Sequence, residues 1–334
     1  MNITLTFDNY NGGTEDGVHV YRDVAPIPDS PLPTPLATLA SGSNSYVDST
    51  VIRGTKYYYR FGIFKGSDEL LSINKVVRAV APSDTGPGPQ TLAMGDWDLG
   101  FFGLTKSSDL VTYAALANFL GITAGTATTD YDWLKFAYKG KVLFVAKNIA
   151  RFQLGYSSLY LAGAVYGTND NGLAVPSGAA ATNQYKPLVI GSWTVLPRIM
   201  KGLSDNSAKP ADRGITLQAT PLPSNEYDDL IGGICNDPKY TGDTNYGYFG
   251  RFDADLTPAL STGQGISDYC QQTTGFTDLT NTIMRGGRNA GNATLSPMSL
   301  LACLVSGTSS SSALWTGSAM TIYGGYRPVL ELVL

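Results

Sequence analysis

The run KYYYRFGIF, residues 56–64, constrains the fold of this chain more than any other feature. Tyr57, Tyr59, Phe61 and Ile63 fall on one face at period two, and Tyr58, Arg60 and Gly62 on the other. Only an extended strand separates side chains in that way, and aromatic and β-branched residues favour it. One face therefore lies against a core. Upstream, ITLTF alternates in the same manner, with Ile3 and Leu5 opposed to Thr4 and Thr6. Between these two runs come VHVYR, a proline-rich crossover (PIPDSPLPTPL) and SYVDSTV, and the run itself is followed by KVVRAV. Short alternating segments punctuated by Gly, Asn and Pro predict a small β-sandwich over residues 1–82.

The string GTKYYYRFGIFKGSDELLS resembles the penultimate-strand signature of fibronectin type III modules, in which Thr-x-Tyr opens an alternating strand that ends at a glycine-containing turn. The resemblance implies that Tyr57 is a corner tyrosine whose hydroxyl bonds back to the backbone. Two departures are visible: Phe7 stands where an early-strand Trp is common, and the first strand begins almost at Met1. Function does not follow, because such modules serve equally as spacers, adhesion units and decorations.

Residues 83–92, SDTGPGPQTL, read as a Pro/Gly linker in which Pro87 and Pro89 favour an extended path. Beyond it, residues 93–334 read as a larger α+β domain, so the fold class of the whole is mainly β / α+β. SSDLVTYAALANFLGI predicts a helix capped by Ser107 or Ser108, with Leu110, Tyr113, Ala114 and Ala117 on one face and Gly121 at its end. WLKFAY and KVLFVAK flank Lys139-Gly140 as a β-hairpin, with Leu134, Phe136 and Tyr138 alternating on one strand and Leu143 and Val145 on the other. A second helix is expected near SSLYLAGAVYG, and a short one in NEYDDLIGGI, capped by Asn225 with Leu230 and Ile231 inward. The apolar C-terminal strand is expected to be tied into a sheet. Residues 236–294 show no periodicity that assigns them.

Composition narrows function. Charged residues make up 15% of the 334, against roughly 25% in ordinary soluble domains, while Gly (38) and Tyr (20) are abundant. Such a composition suits short strands, tight turns and surfaces that pack against copies of themselves, so a homo-oligomer is expected. With a net charge of −4, a pI near 5.0 and no cluster of five basic residues, nucleic acid is a poor ligand. No run approaches 18 apolar residues and no basic leader precedes one, so neither membrane insertion nor export is expected and the chain is expected to start life in a cytoplasm. Cys235, Cys270 and Cys303 are widely spaced and accompanied by one His, so they read as buried free thiols and neither metal nor cofactor is expected.

Candidate chemistry is sparse. His19 alternates with Val18 and Val20 and so faces outward, and any Ser-His-Asp or Cys-His site would have to be built on it. Four acidic pairs, Asp96/Asp98, Asp130/Asp132, Asp228/Asp229 and Asp253/Asp255, have the spacing to be considered as glycosidase acids, although turn and cap formation accounts for them better. Asn169-Asp170-Asn171-Gly172 lacks the bidentate Glu of an EF-hand and reads as an Asx turn. RGGRN, with Arg285 and Arg288, lacks the lysine of a phosphate loop. KYTGDTNYGYFGRF carries Tyr240, Tyr246, Tyr248, Phe249 and Phe252, which form either a partner or glycan surface or a local packing cluster.

Five segments, GDWDLGFFG, WLKFAYKGKVLFVAKNIAR, VLPRIMKG, EYDDLI and YGGYRPVLEL, together resemble a family of tailed-bacteriophage virion proteins, some of which carry an N-terminal immunoglobulin-like or fibronectin-like module. The hairpin and the terminal strand are also similar to the opening and closing elements of C-type-lectin-like domains related to formylglycine-generating enzymes, without the catalytic cysteines of that family. What the resemblance implies is a non-enzymatic virion component, such as a decoration, collar, tail or fibre element, whose partners are other virion proteins. The alternative is a receptor- or glycan-binding protein that uses loops 168–186 and 236–294. A glycan hydrolase is the third reading.

Overall fold

The computed structural model describes residues 1–201 except 12, 131, 153, 173, 174, 177 and 178. Beyond 201 it describes residues 226, 229, 230, 265–273, 281–285, 303–306 and 322–334. The protein is mainly β, and its sheets are predominantly antiparallel.

Residues 3–78 supply seven strands: β1 (Ile3–Thr6), β2 (Gly17–Asp23), β3 (Ala37–Ala40), β4 (Ser45–Asp48), β5 (Lys56–Lys65), β6 (Asp68–Leu71) and β7 (Lys75–Arg78). They form a two-stranded sheet, β1-β4, and a five-stranded sheet ordered β3-β2-β5-β6, with β7 also on β5. The alternation of β5 does what its sequence requires: Tyr57, Tyr59 and Phe61 are buried in a core with Ile3, Leu5, Val18 and Val20, and Ile63 packs against it. Phe7 stacks on Phe61 at 4.2 Å between ring centroids. The Tyr57 hydroxyl accepts a hydrogen bond of 3.0 Å from the backbone of Ile52. The opposite face of β5 is covered as well. Arg60 is buried there, donating to the carbonyls of Ser72 and Ile27 and to Asp29 of the proline-rich crossover.

The Pro/Gly segment is not extended throughout. Pro82–Thr85 form a 3-10 turn, and Thr85, Gly86 and Pro87 are buried. Extension is prevented because the segment is held by its carbonyls, as described below.

Beyond it lie β8 (Met94–Gly95), β9 (Leu99–Thr105), α1 (Tyr113–Leu120), β10 (Thr126–Ala127), β11 (Trp133–Tyr138), β12 (Lys141–Ala146), β13 (Arg151–Phe152), α2 (Tyr156–Leu161), β14 (Leu188–Ile190) and β15 (Trp193–Arg198). The described strands that complete the chain are β16 (Gly265–Thr273), β17 (Asn281–Arg285), β18 (Cys303–Ser306), β19 (Ile322–Tyr326) and β20 (Val329–Leu332). A seven-stranded sheet runs β14-β15-β20-β12-β11-β9-β8, and a six-stranded sheet β10-β13-β19-β16-β17-β18. The C-terminal strand β20 is thus central, hydrogen-bonded to β12 and β15.

β11 and β12 turn on Lys139-Gly140, whose φ angles of 50° and 83° are those of a two-residue hairpin with both central residues left-handed. Leu134, Phe136, Tyr138, Leu143 and Val145 share one buried face with Met200, Leu230 and Val329. Trp133, Ala137, Val142, Phe144 and Ala146 bury the other face against α1 and α2.

Helix α1 differs from its sequence reading at the start. Thr112, not Ser107 or Ser108, is the cap, its hydroxyl accepting from Ala115 N–H at 3.1 Å. The reason is that residues 106–110 close turns on the Lys106 carbonyl, so the helix begins after them, with Leu110 buried ahead of it and Ala114 exposed. Gly121 ends it in the left-handed conformation, as expected. Asn225 and Ile231 lie outside the described residues, while Leu230 is fully buried.

Candidate functional site

Among the residues singled out for chemistry, the carboxylates of Asp96, Asp130 and Asp229 are engaged in architecture. Asp96 accepts from three backbone N–H groups, those of Val76, Asp98 and Leu99, at 2.8, 2.7 and 3.3 Å. That leaves it a turn former, and it also ties β7 to the second part of the chain. Asp98 and Asp132 give backbone carbonyls to Lys139 and Lys147. Asp130 accepts from Tyr113 N–H at 2.5 Å, meeting a donor that the first turn of α1 leaves open. Asp229 accepts from the Tyr138 hydroxyl at 2.9 Å. Asp228, Asp253 and Asp255 lie outside the described residues, as do Cys235, Arg288 and the aromatic surface of Tyr240, Tyr246, Tyr248, Phe249 and Phe252. Cys270 and Cys303 stand in β16 and β18, and Arg285 ends β17.

His19 is half-buried and has partners that sequence did not reveal. Its Nδ1 lies 2.9 Å from Glu69 and its ring stacks on Phe64 at 4.2 Å. Tyr21 donates to the same carboxylate, at 2.9 and 3.1 Å, and burial followed by that carboxylate pushes its phenol up to about 12. Glu69 lies over Gly62, where a Cβ would meet its carboxylate at 1.8 Å. An orienting carboxylate is thus present, but no Ser, Thr or Cys nucleophile is hydrogen-bonded to the imidazole among the described residues, and catalysis needs that third element.

The strongest polar constellation lies on the seven-stranded sheet. Lys135 of β11 has no exposed surface, and its ammonium donates to Thr85 Oγ1 and to the carbonyls of Gly86, Pro87 and Pro89 at 3.0, 3.2, 3.1 and 2.6 Å. It also sits over the rings of Phe102 and Phe144, 4.9 and 5.7 Å from their centroids. Among the described residues no carboxylate faces it, and burial pushes its pKa down to about 8. Residues 85–89 are consequently a strap seated on the sheet. On the sheet's other side, buried Arg198 makes a bidentate pair with Glu226 at 2.6 and 2.7 Å and donates to Glu331 at 3.0 Å. Lys141 closes the chain of charges on Glu331 at 2.5 Å. Burial opposes the charge of Arg198, but Glu226 and Glu331 outweigh it and raise its pKa. Burial likewise works to raise Glu331, yet Arg198 and Lys141 hold it below the usual carboxylate range. Arg327 donates to the carbonyls of Ala146 and Lys147.

Residues of four of the dispersed sequence segments meet here: Tyr138 and Lys141 from the hairpin, Arg198 from VLPRIMKG, Glu226 and Asp229 from EYDDLI, and Arg327 and Glu331 from the terminal strand. Segments far apart in sequence therefore meet in one frame. No spacing in the sequence could have announced this, because the pairing depends on β20 entering the middle of the sheet.

Loop 168–186, described except at residues 173, 174, 177 and 178, is anchored by polar groups. Gln184 is fully buried, accepting from Val165 N–H and donating to the carbonyls of Tyr160 and Thr182. The Tyr160 hydroxyl donates to the Asn171 carbonyl and accepts from Thr182 N–H. Asp170 Oδ1 accepts from Thr168 Oγ1 at 2.6 Å and Gly172 N–H at 2.8 Å, the expected Asx turn.

The fold and these sites define a mainly-β protein whose described charged motifs are spent on holding sheets together. Compared with protein-family models, with curated proteins and with solved structures, the chain matches none. Among the described residues, no helix is long and apolar enough to cross a membrane, and no group of three metal-ligating side chains occurs.

Proposed function

We propose that this chain is a non-enzymatic structural component of a tailed bacteriophage particle, a decoration, collar, tail or fibre element that acts through protein–protein contacts. One observation carries the reading. Lys141, Arg198, Glu226 and Glu331, charged residues of the segments that resemble virion proteins, join one another across β12, β15 and β20, where a binding or catalytic protein would direct such groups at a ligand. The N-terminal sheets support a fibronectin type III resemblance through the order β3-β2-β5, the separate β1-β4 pair and the Tyr57–Ile52 bond. The central terminal strand and the α1 and α2 packing are compatible with a C-type-lectin-like α+β domain beyond it. Strap contacts and the Asp96–Val76 bond suit a spacer that transmits a fixed orientation.

Immunogold electron microscopy of intact particles, with antibody raised against residues 93–334, tests this. Label at head, neck or tail tube is the expected result, and absence of label from every particle overturns it. A second reading, host-surface recognition, is favoured by the anchoring of Thr182 and Gln184 in loop 168–186, because residues already held in place lose little entropy on binding. Label confined to the distal tail tip would promote that reading.

A further inference from the structure

A Pro/Gly segment between two folded parts ordinarily lets each swing on its own. In this chain the parts are attached to each other at two places. The first attachment is the strap. The N-terminal sheets hold Ala79 from both sides, its N–H donating to the Thr55 carbonyl at 2.9 Å and its carbonyl accepting from Gly54 N–H at 2.7 Å. From Thr85 onward Lys135 seats the chain on the seven-stranded sheet. Residues 80–84 alone lie between, and there Asp84 pairs with Arg53 at 2.6 Å. Gly86 lies so close to the sheet that a Cβ would come within 3.0 Å of Phe144 and 3.3 Å of Leu332.

The second attachment is a bridge formed by residues 96–98 between β7 and the β11–β12 hairpin. On one side Val76, which is buried, is bonded twice: its N–H donates to Asp96 Oδ2 at 2.8 Å and its carbonyl accepts from Trp97 N–H at 3.1 Å. On the other side the carbonyls of Trp97 and Asp98 accept from the N–H groups of Gly140 and Lys139, at 2.7 and 2.8 Å. Arg78 of β7 reaches the hairpin directly and donates to the Gly140 carbonyl. Lys56 of β5 covers the same turn, since a Cβ on Gly140 would meet its Cδ at 3.2 Å. One tether leaves rotation about itself, whereas two separated tethers oppose it. These two grip the hairpin at Lys135 and at its Lys139-Gly140 turn, about 13 Å apart at the rise of a strand. Swinging the parts would break backbone hydrogen bonds around a buried residue, each group left unpaired costing about 1–3 kcal/mol.

From these contacts we infer that residues 96–98 lock the N-terminal sheets to the second part of the chain, so that the two turn as one rigid body despite the Pro/Gly segment that joins them. The lock fixes where the second part points whenever the first is held, and it is independent of the virion reading.

Residual dipolar couplings of backbone amides in the deuterated, weakly aligned full chain test it. Couplings from residues 3–78 and from the described residues of 99–200 should fit a single alignment tensor. Asp96→Asn keeps the Oδ1 that accepts from Asp98 and Leu99 and turns a donor toward Val76 N–H, so it opens the bridge without undoing the turn. Arg78→Met removes the direct reach to Gly140. In the double variant the common tensor should be lost, the two parts requiring tensors of different magnitude. Separate tensors in the parent chain overturn the inference without recourse to any variant. A single tensor that persists in a double variant with a native amide spectrum overturns the role given to residues 96–98 and leaves the strap as the sole restraint.

Discussion

At the scale of single residues, Lys135 is the most informative position. Its neighbours in WLKFAY alternate as expected, but a lysine in the middle of that pattern reads as solvent-facing unless the strand is central, which only the tertiary arrangement decides. Because its pKa falls from the ordinary lysine value to about 8 in the fold, the unfolded chain binds more protons between those limits. Stability should therefore rise with pH from about 8 to about 10.5, by at most about 1.4 kcal/mol per unit. Subtracting the pH profile of Lys135→Met isolates this rise, since the tyrosines titrate in both proteins, and a difference curve flat across that range would refute it. Asp48 gives the opposite case. Burial pushes its carboxyl up, but hydrogen bonds from Thr50, Tyr59 and Arg22 hold it below the usual range. Its contribution is present above the unfolded carboxylate pKa and disappears as pH falls through the folded one. Asp48→Asn should accordingly flatten the acid limb of the stability curve, as urea titrations at a series of pH values would reveal.

At the scale of elements, the alternating strands were legible because period two has few alternative explanations. β1, β5, β11 and β12 lie where their patterns place them. The start of α1 was not legible, since Ser107, Ser108 and Thr112 are all competent caps and the choice falls to turns closed on Lys106. The strap was legible as Pro/Gly-rich but not as buried, because its partner Lys135 lies about fifty residues away. Gly88 is essential to that strap: its φ is +79°, and a Cβ would come within 2.1 Å of Thr105 Oγ1. Gly88→Ala combines left-handed strain with a clash against a buried neighbour and should cost about 1–3 kcal/mol. Thermal unfolding would register it, whereas Gly54→Ala, at similar φ with open space around it, should lose only the strain part. Tyr57→Phe should cost about 1 kcal/mol through its bond to Ile52, measurable by denaturant unfolding.

At the scale of the molecule, the seven-stranded sheet is completed by the last strand of the chain, and its charged frame joins residues as far apart as Lys141 and Glu331. That assembly explains why motifs dispersed through the sequence carry no recognisable chemistry of their own. Of the surfaces proposed from sequence, loop 168–186 is described except at residues 173, 174, 177 and 178 and is anchored through Gln184 and Tyr160, while the tyrosine-rich stretch lies outside the described residues. The central claim is that these motifs are architectural. Arg198→Met tests it most directly, because the change strands Glu226 without its buried partner while nearly preserving volume. Equilibrium unfolding should show a loss of about 3–5 kcal/mol. A variant within about 0.5 kcal/mol of the parent, the range of an ordinary surface substitution, would contradict the claim.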